Sequence, residues 1–549
     1  MTFFQTYFPP VYCVDGKVNV RLTIHYVLFF VLLFLLAAAQ PVSKFMMSGM
    51  EILLAVNWIL MLMGNLVDRR KTISAADTSG RWLLFAFMAL MAVHLIWMLP
   101  SANRAYGWDD IFRKLPLIAI PLVVLTSRPL NRNQLSVVFA GFVLSVFVAT
   151  IIGRVRMLTM NDLPYRQIIP FISHIRFSMN VCMALVLMVW FAVERARRGI
   201  RLSRDILFWI LAIVALSLLD FLFRLRSYTA FVMLFVVAVV LLAVYGRRIR
   251  SRLLSVSLWA LMAAAVVGSV ALSVCMARSY YKPCPLASEP LRACTVNGNP
   301  YRHSGDGLME NGNYVNNYIC REELDREWSK RSAMSIADTT VNGYAVYPTL
   351  LRYLNALGTT KDSVGVSMLT DEDVAAIEKG IANPVYMHGS AIRNMYYVMF
   401  YEYESYRKLH VVKDFTMLQR FELWKTAWRV FSGNPLFGVG TGDVVDECHR
   451  QLVIDGSPLQ GTTKHTHNQY LTFLVTFGLV GFLLIVAVFV YALRRERLLR
   501  LPAATAYIVI LLVSFITEDT LETLAGCVFS VMMFCLLMRS ISSLVESEK

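Results

Sequence analysis

Long apolar runs recur along this chain, and they limit its possible folds more than any other feature. A helix needs roughly 17–25 apolar residues to cross a bilayer. Twelve candidate runs lie near 22–40, 48–66, 82–99, 115–127, 134–152, 177–194, 205–222, 228–245, 254–275, 468–492, 502–518 and 522–539. The fourth is short and carries Pro116 and Pro121. Charged residues make up only 16% of the sequence, where soluble domains carry about a quarter. The chain is therefore expected to be an all-α polytopic membrane protein. The first run exits through AAAQPVSK directly into the second. It is expected to stay in the membrane as a helix rather than to be cleaved as a leader.

Formal charge is +16, and its distribution decides what it means. Lys and Arg beside short loops mark the cytoplasmic side. One set of alternate connections holds Arg69, Arg70 and Lys71; Arg195, Arg197, Arg198, Arg201 and Arg204; Arg247, Arg248, Arg250 and Arg252; and Arg494, Arg495, Arg497 and Arg500. All of these share one face if both termini are cytoplasmic. The basic balance is then topological, and nucleic acid is not an expected partner. Two short connections on the opposite face break the pattern. One carries Arg154, Arg156, Arg166 and Arg176, and the other Arg224 and Arg226. Single arginines at helix ends snorkel, but six on the outer face favour an anionic ligand, because the planar guanidinium fork suits phosphate.

Between the ninth and tenth runs lie about 190 residues of mixed composition, too many for a structureless loop. The expected layout is nine transmembrane helices over 1–275, a mainly helical extracytoplasmic domain over 276–467, and three more helices over 468–549. Within the loop, FTMLQRFELWKTAWRVF (Phe415–Phe431) places Leu418, Phe421, Trp424 and Trp428 at helical spacing. This is either a helix against the membrane or bundle or a core helix of the loop domain. Cys284, Cys294, Cys320 and Cys448 also fall in this loop. An even number in an oxidising compartment allows disulfides, and Cys284–Cys294 closes the shortest ring. Their spacing does not suit zinc.

FSGNPLFGVGTGD (Phe431–Asp443) follows, with Gly438, Gly440 and Gly442 alternating. Such backbone can turn sharply or approach a ligand closely. The neighbouring sequence makes it specific. Arg420 and Trp424 precede it as Arg-x-x-x-Trp. His467-Asn-Gln-Tyr-Leu471 follows, entering a run that contains Gly478-Leu-Val-Gly481. This series, Arg420 to Leu484, resembles the O-antigen ligase and polymerase family of bacterial membrane enzymes. The resemblance implies a fold like the C-type glycosyltransferases and a periplasm-facing site on the bacterial inner membrane. It implies an undecaprenyl-diphosphate-linked glycan as donor and lipid A–core or a carrier-linked glycan repeat as acceptor. It further implies arginines on the diphosphate and a catalytic histidine. The family's His-Asn-x-x-Leu falls on His467, Asn468 and Leu471. Its arginine after a periplasmic helix end is nearest in LRSYTAF, which offers Arg226 with Arg224 as rival; here the order is Arg-Ser. A second arginine at the entry to an earlier span corresponds to Arg176 in SHIRFSMN, and Arg420 is a further candidate.

The residue chemistry agrees with that implication. A diphosphate leaves well once its charge is stabilised, which arginines in a partly dehydrated cleft can do. A neutral imidazole, with an ordinary pKa near 6.5, suits removal of the acceptor hydroxyl's proton. Flanking arginines would keep it neutral. Attack opposite the departing diphosphate inverts the anomeric centre, with neither metal nor cofactor required. His465 and His174 are supporting candidates. Asn468 either caps the incoming helix or touches substrate. Two other classes compete: a transporter or flippase of lipid-linked glycans, and a non-catalytic envelope-assembly protein.

The orientation is directly testable. In a background without native thiols, a cysteine placed at Ser304 should be labelled by a membrane-impermeant reagent and one at Ser203 should not. The reverse pattern would invert the topology and move the arginine clusters to the cytoplasm.

Overall fold

The computed structural model describes residues 13–14, 17–67, 80–160, 167–249, 251–412, 416–462 and 465–547. Arg69, Arg70, Lys71, Arg166 and Arg250 lie outside the described residues. Helices α1 (Val20–Ala39), α2 (Lys44–Val67), α3 (Arg81–Met98), α4 (Arg104–Lys114), α5 (Pro116–Thr126), α6 (Arg132–Thr159), α7 (His174–Arg197), α8 (Ile206–Arg224), α9 (Tyr228–Tyr245) and α10 (Arg252–Tyr281) come first. The loop region holds α11 (Pro285–Ser288), α12 (Arg321–Trp328), α13 (Val346–Ala356), α14 (Ser363–Ser367), α15 (Asp371–Lys379), α16 (Val385–His388), α17 (Ala391–Leu409), α18 (Thr416–Gly433) and α19 (Val444–Ile454). The chain continues with α20 (Gln469–Arg495), α21 (Pro502–Thr517) and α22 (Leu524–Ser547). Strands are confined to two short hairpins, β1 (Cys13–Val14) with β2 (Lys17–Val18) and β3 (Met309–Glu310) with β4 (Asn313–Tyr314).

Among the described residues, nine helices are long and apolar enough to cross a membrane: α1, α2, α3, α6, α7, α8, α9, α10 and α20. α21 and α22 contribute shorter apolar stretches, Pro502–Thr517 and Leu524–Arg539. The expected fourth run is α5, with only 11 residues, short of the roughly 17 needed for a crossing. α5 nearly fills the expected run of 115–127, and its last carbonyls find a donor inside the protein. Arg539, 2% exposed, donates to the carbonyls of Val124, Leu125 and Ser127. Helix C-termini leave such acceptors unpaired, and a cation there also matches the helix dipole.

The chain forms two compact units. The first comprises Met1–Ser255, Leu423–Asp455 and Gly461–Lys549. Its core interleaves α1 with α2 and α6, α3 with α20, α9 with α21, and α5 with α22. The second comprises Val256–Glu422 and Gly456–Gln460. Residues 423–455 and 461–467, which the sequence groups with the loop domain, thus lie in the first unit.

In the second unit an apolar core of Leu324, Trp328, Leu350, Leu354 and Ile377 is bordered by buried charges that are each met by partners. Arg352 forks onto Glu310 at 2.9 Å through both Nε and Nη2, and Asn383 donates to the same carboxylate. Lys361, with no exposed surface, donates to Tyr314 O at 3.0 Å and Asn355 Oδ1 at 2.9 Å, and burial pushes its ammonium down to about 7. Glu323 accepts from Thr295 (2.6 Å), Asn299 (2.7 Å), Asn297 (3.1 Å) and Ser363 Oγ (2.6 Å). The expected Cys284–Cys294 disulfide is not formed, because Cys284, Cys294, Cys320 and Cys448 are all free thiols. Cys284 is fixed by its own backbone, N–H to Gly312 O, while Cys294 lies in a bridge with Pro300.

Burial opposes the charge of Glu323, but the hydrogen bonds from Ser363, Thr295, Asn299 and Asn297 outweigh it and draw the carboxyl down to about 2 from its ordinary 4.5. A depressed carboxyl contributes stability that is present above its unfolded value and is lost as pH falls through the folded one. Glu323→Gln should therefore make the second unit more susceptible to proteolysis at pH 7. The gap from wild type should close as pH falls from about 4.5 to about 2. A gap that persisted unchanged to the acid end would remove Glu323 from this role.

Candidate active site

The glycine-rich loop and α20 fold into one another. α20 is interrupted at Gly478, whose φ of 62° and ψ of −169° belong to no helix. In an unbroken helix Leu479 and Val480 would donate to Val475 and Thr476. Instead Leu479 N donates to Pro435 O (2.8 Å) and Val480 N to Leu436 O (3.0 Å). The released carbonyls of Val475 and Thr476 accept from Val439 N (2.9 Å) and Gly440 N (3.0 Å). Four backbone bonds are thus exchanged between loop and span, which pair the N–H groups of Leu479 and Val480 and the carbonyls of Val475 and Thr476 without water. This explains the glycines. A Cβ on Gly438, at φ 67°, would stand 2.5 Å from the carbonyl oxygens of Val475 and Thr476, and one on Gly440 would stand 2.8 Å from Trp97 O. A Cβ on Gly442 would meet Asn103 O at 2.3 Å. The partner these glycines approach closely is the protein's own backbone.

Past the loop, Asp443 accepts from the backbone N–H groups of Ala102 (2.8 Å) and Asn103 (2.7 Å), anchoring the start of α4. Past α19, the chain reaches His467 just before α20. His467 adopts φ 52°, rare for a side chain with a Cβ. Asp519 holds it there. Its Oδ2 accepts His467 N at 2.6 Å, and its Oδ1 accepts Asn468 N at 3.0 Å, Thr466 Oγ1 at 3.1 Å and Thr472 Oγ1 at 2.7 Å. The imidazole is partly exposed, with Nδ1 3.9 Å from Glu518 Oε1. Asn468 takes the capping position, its side chain accepting Leu471 N at 3.1 Å.

The same two carboxylates, Glu518 and Asp519, act electrostatically on Arg176 in the first turn of α7. Arg176 Nε is buried without a hydrogen-bond partner among the described residues, an unsatisfied donor that a phosphate oxygen could meet. His174 begins the same helix. The two arginines near the α8–α9 turn differ. Arg224 Nε donates to Asp220 at 2.9 Å, and Arg154 pairs with the same carboxylate at 2.8 Å. Arg226 sits in the turn at φ 52°, exposed, with no side-chain ion pair among the described residues. Arg420 stands on α18 in the second unit.

Sequence reading passes over the acidic segment. Glu518, Asp519 and Glu522 stand between the last two apolar runs, and the signal available was three carboxylates within five residues of an apolar surround. It also passes over Lys114, which is 2% exposed. Lys114 Nζ donates to Asp110 (2.6 and 2.5 Å) and Glu522 (2.6 Å). Glu522 in turn accepts from Gln469 at 2.9 Å. Burial pushes the Asp110 carboxyl up to about 7, against the pull of Lys114 and with the charge of Glu522 adding to it.

Residues 386–486 match the O-antigen ligase family. This segment is similar to the O-antigen ligase domain. It encloses the Arg420–Leu484 series, including the glycine loop, His467 and the break in α20. At family level this match supports a membrane glycosyltransferase of the O-antigen ligase or polymerase type, a family whose substrates are in general a lipid-linked glycan and an acceptor. No curated protein matches the chain. Arg176 and the carboxylates Glu518, Asp519 and Glu522 lie outside the matched segment, as does Arg226, so the charges described around His467 are drawn from other parts of the chain.

The loop exchange within the matched segment predicts a steep contrast between two glycines. A Cβ on Gly478 would stand 2.3 Å from Leu436 C in a left-handed backbone, whereas one on Gly433 meets nothing within 4 Å. Gly478→Ala should cost at least about 2 kcal/mol, from backbone strain plus the clash, and should lower the thermal midpoint in detergent. Gly433→Ala should match wild type within about 0.5 kcal/mol.

Proposed function

We propose that this protein transfers a glycan from undecaprenyl diphosphate to an acceptor at the periplasmic face of the bacterial inner membrane. Its twelve crossings would be the nine long helices, α21, α22 and the region of α5, whose 11 helical residues do not span a bilayer by themselves, and the 276–467 region would be periplasmic. The observation that carries the proposal is His467, held by its backbone on Asp519 with its partly exposed imidazole 3.9 Å from Glu518. Arg176, with its unsatisfied Nε, is drawn to the same carboxylates.

In this reading neutral His467 takes the proton of the acceptor hydroxyl as its oxygen attacks the anomeric carbon. The bond from that carbon to the diphosphate breaks, and the electron pair leaves with the diphosphate. Arg176 and Arg226 hold the departing charge; Arg224 is already committed to Asp220. Glu518 steadies the imidazolium. Attack from the face opposite the leaving group inverts the anomeric centre, and the reaction is metal-independent. The acceptor is lipid A–core in ligation or a carrier-linked repeat in polymerisation. A transporter reading gains nothing from the broken α20. Transporters use unwound backbone to hold their cargo, whereas here that backbone is occupied by Pro435–Gly440.

Purified protein in lipid nanodiscs, given a lipid-diphosphate glycan and each acceptor in turn, tests the proposal and separates the two acceptors. His467→Ala should lower transfer about 10²–10⁴-fold, the usual range for a positioned base, while carrier-lipid binding stays close to wild type. Arg226→Lys keeps the charge but loses the fork, so transfer should fall substantially. Arg176→Ala should weaken carrier binding. Near-normal transfer by a folded, lipid-binding His467→Ala protein would end the general-base assignment.

A further inference from the structure

Within the second unit, hydroxyls and aromatic rings join the end of α10 to α17. Tyr396 OH lies 2.7 Å from Ser273 Oγ, Tyr397 OH lies 2.9 Å from Ser279 Oγ, and Tyr281 OH donates to Glu404 at 3.0 Å. The Tyr280 ring packs on those of Tyr397 and Phe400, each at 5.2 Å. Later residues of one helix meet later residues of the other, so the two run in the same direction. α10 is long and apolar enough to cross a membrane. Its 30 residues extend about 45 Å, against a hydrocarbon core of about 30 Å. Its charged residues are Arg252 and Arg278, with none between them. Ser273 stands about 8 Å before Arg278 along the axis, inside the uncharged stretch. Its contact with Tyr396 therefore sets that part of α17 at the level where α10 leaves the hydrocarbon. Ile392 lies one turn deeper.

The sequence of α17 fits this level. From Ala391 to Tyr401 the one charged residue is Arg393, whereas Glu402, Glu404, Arg407 and Lys408 all come later. Charge thus increases in the direction in which α10 leaves the bilayer. Ile392, Met395, Met399 and Tyr403 recur at spacings of three and four, which places them on one face of the helix. That face is not the one that carries Tyr397, Phe400 and Glu404 to α10. Ile392 and Met399 are each 39% exposed. We infer that the first half of α17 lies in the membrane interface beside the end of α10, with the Ile392–Met399 stripe against phospholipid. Amphipathic helices bury such a face about 5–10 Å into the headgroup–acyl boundary, and tyrosines concentrate at that boundary. Arg393 can extend its guanidinium to the phosphates from there. The stripe continues a surface that α10 already presents to lipid, so acyl chains cover it without a further protein partner. The loop domain is then held to the membrane at α17 as well as through α10. This placement requires α10 to cross the bilayer and does not depend on the transfer chemistry.

The test uses the full-length protein in nanodiscs of phosphatidylethanolamine and phosphatidylglycerol, with one NBD fluorophore per molecule and no other thiol. The label is placed on Cys275, an exposed native thiol two residues from Ser273, or on Ile392→Cys, Met399→Cys or Leu409→Cys. Doxyl-labelled phospholipid should remove more than half of the emission from Cys275, Ile392→Cys and Met399→Cys. Leu409→Cys, exposed and about 15 Å beyond Met399 along the helix, should keep most of its emission and be quenched by aqueous iodide instead. The two substitutions in the stripe replace surface side chains, and either one with a wild-type thermal midpoint suffices for the reading. Quenching of both by iodide and not by lipid, with Cys275 quenched by lipid, would overturn the inference. Protection from both quenchers, with two chains in each disc, would overturn it in favour of a second copy covering the stripe. A Cys275 label untouched by lipid would show that α10 does not cross at this level, and the placement of α17 would fall with it.

Discussion

The backbone exchange between Pro435–Gly440 and the break in α20 is the interaction on which the rest of the site depends. A helix interrupted inside a bilayer must find partners for every N–H and C=O it releases, because no water reaches them. Here the partners come from one loop, and the pairing is reciprocal: two carbonyls of the loop accept, and two of its N–H groups donate. Register follows from this. Thr441 is then placed to donate to His94 O at 2.7 Å, and Gly442 N to reach Ser101 Oγ at 3.0 Å. Asp443 arrives over the start of α4. The loop, α3, α4 and α20 are locked as one piece, and that piece carries both His467 and Lys114.

Charge is organised around that piece in two layers. Lys114, Asp110 and Glu522 form a buried set in which Lys114 and Glu522 lie 408 residues apart in the chain. Removing one partner from such a set would leave an uncompensated buried charge, a cost of about 3–5 kcal/mol. The set therefore ties α4 to the turn before α22. Glu518 and Asp519 form the second layer, and they meet His467 and Arg176 rather than each other's counter-ions. Arg224 is neutralised by Asp220 while Arg226 is not. Of two arginines two residues apart, then, the one in the left-handed turn is open for an anion.

Much of the fold was legible because apolar length reports directly on bilayer crossing. α1 to α3, α6 to α10 and α20 follow the apolar runs closely. α5 also follows its run, Pro116–Thr126 against 115–127, but hydropathy cannot register that Arg539, more than 400 residues away, binds the carbonyls at its end. The His-Asn-x-x-Leu stretch was legible because it combines a helix entry with a titratable ring. Glu518 and Asp519 were not, because their role appears only when α21 returns beside the start of α20. Gly478 likewise reads as a small residue in a span, and only its backbone angles reveal the break.

The division of labour between the two adjacent carboxylates bears on how a histidine could act at this place. Asp519 directs both oxygens to backbone N–H groups and hydroxyls, so it fixes where residue 467 is without engaging the ring. Glu518 stands 3.9 Å from Nδ1, beyond hydrogen-bond range. On the proposed reading, once the ring takes a proton, the attraction between imidazolium and carboxylate grows, and catalytic hydrogen bonds of this kind tighten as charge develops. Glu518 therefore stabilises the base only after it has done its work.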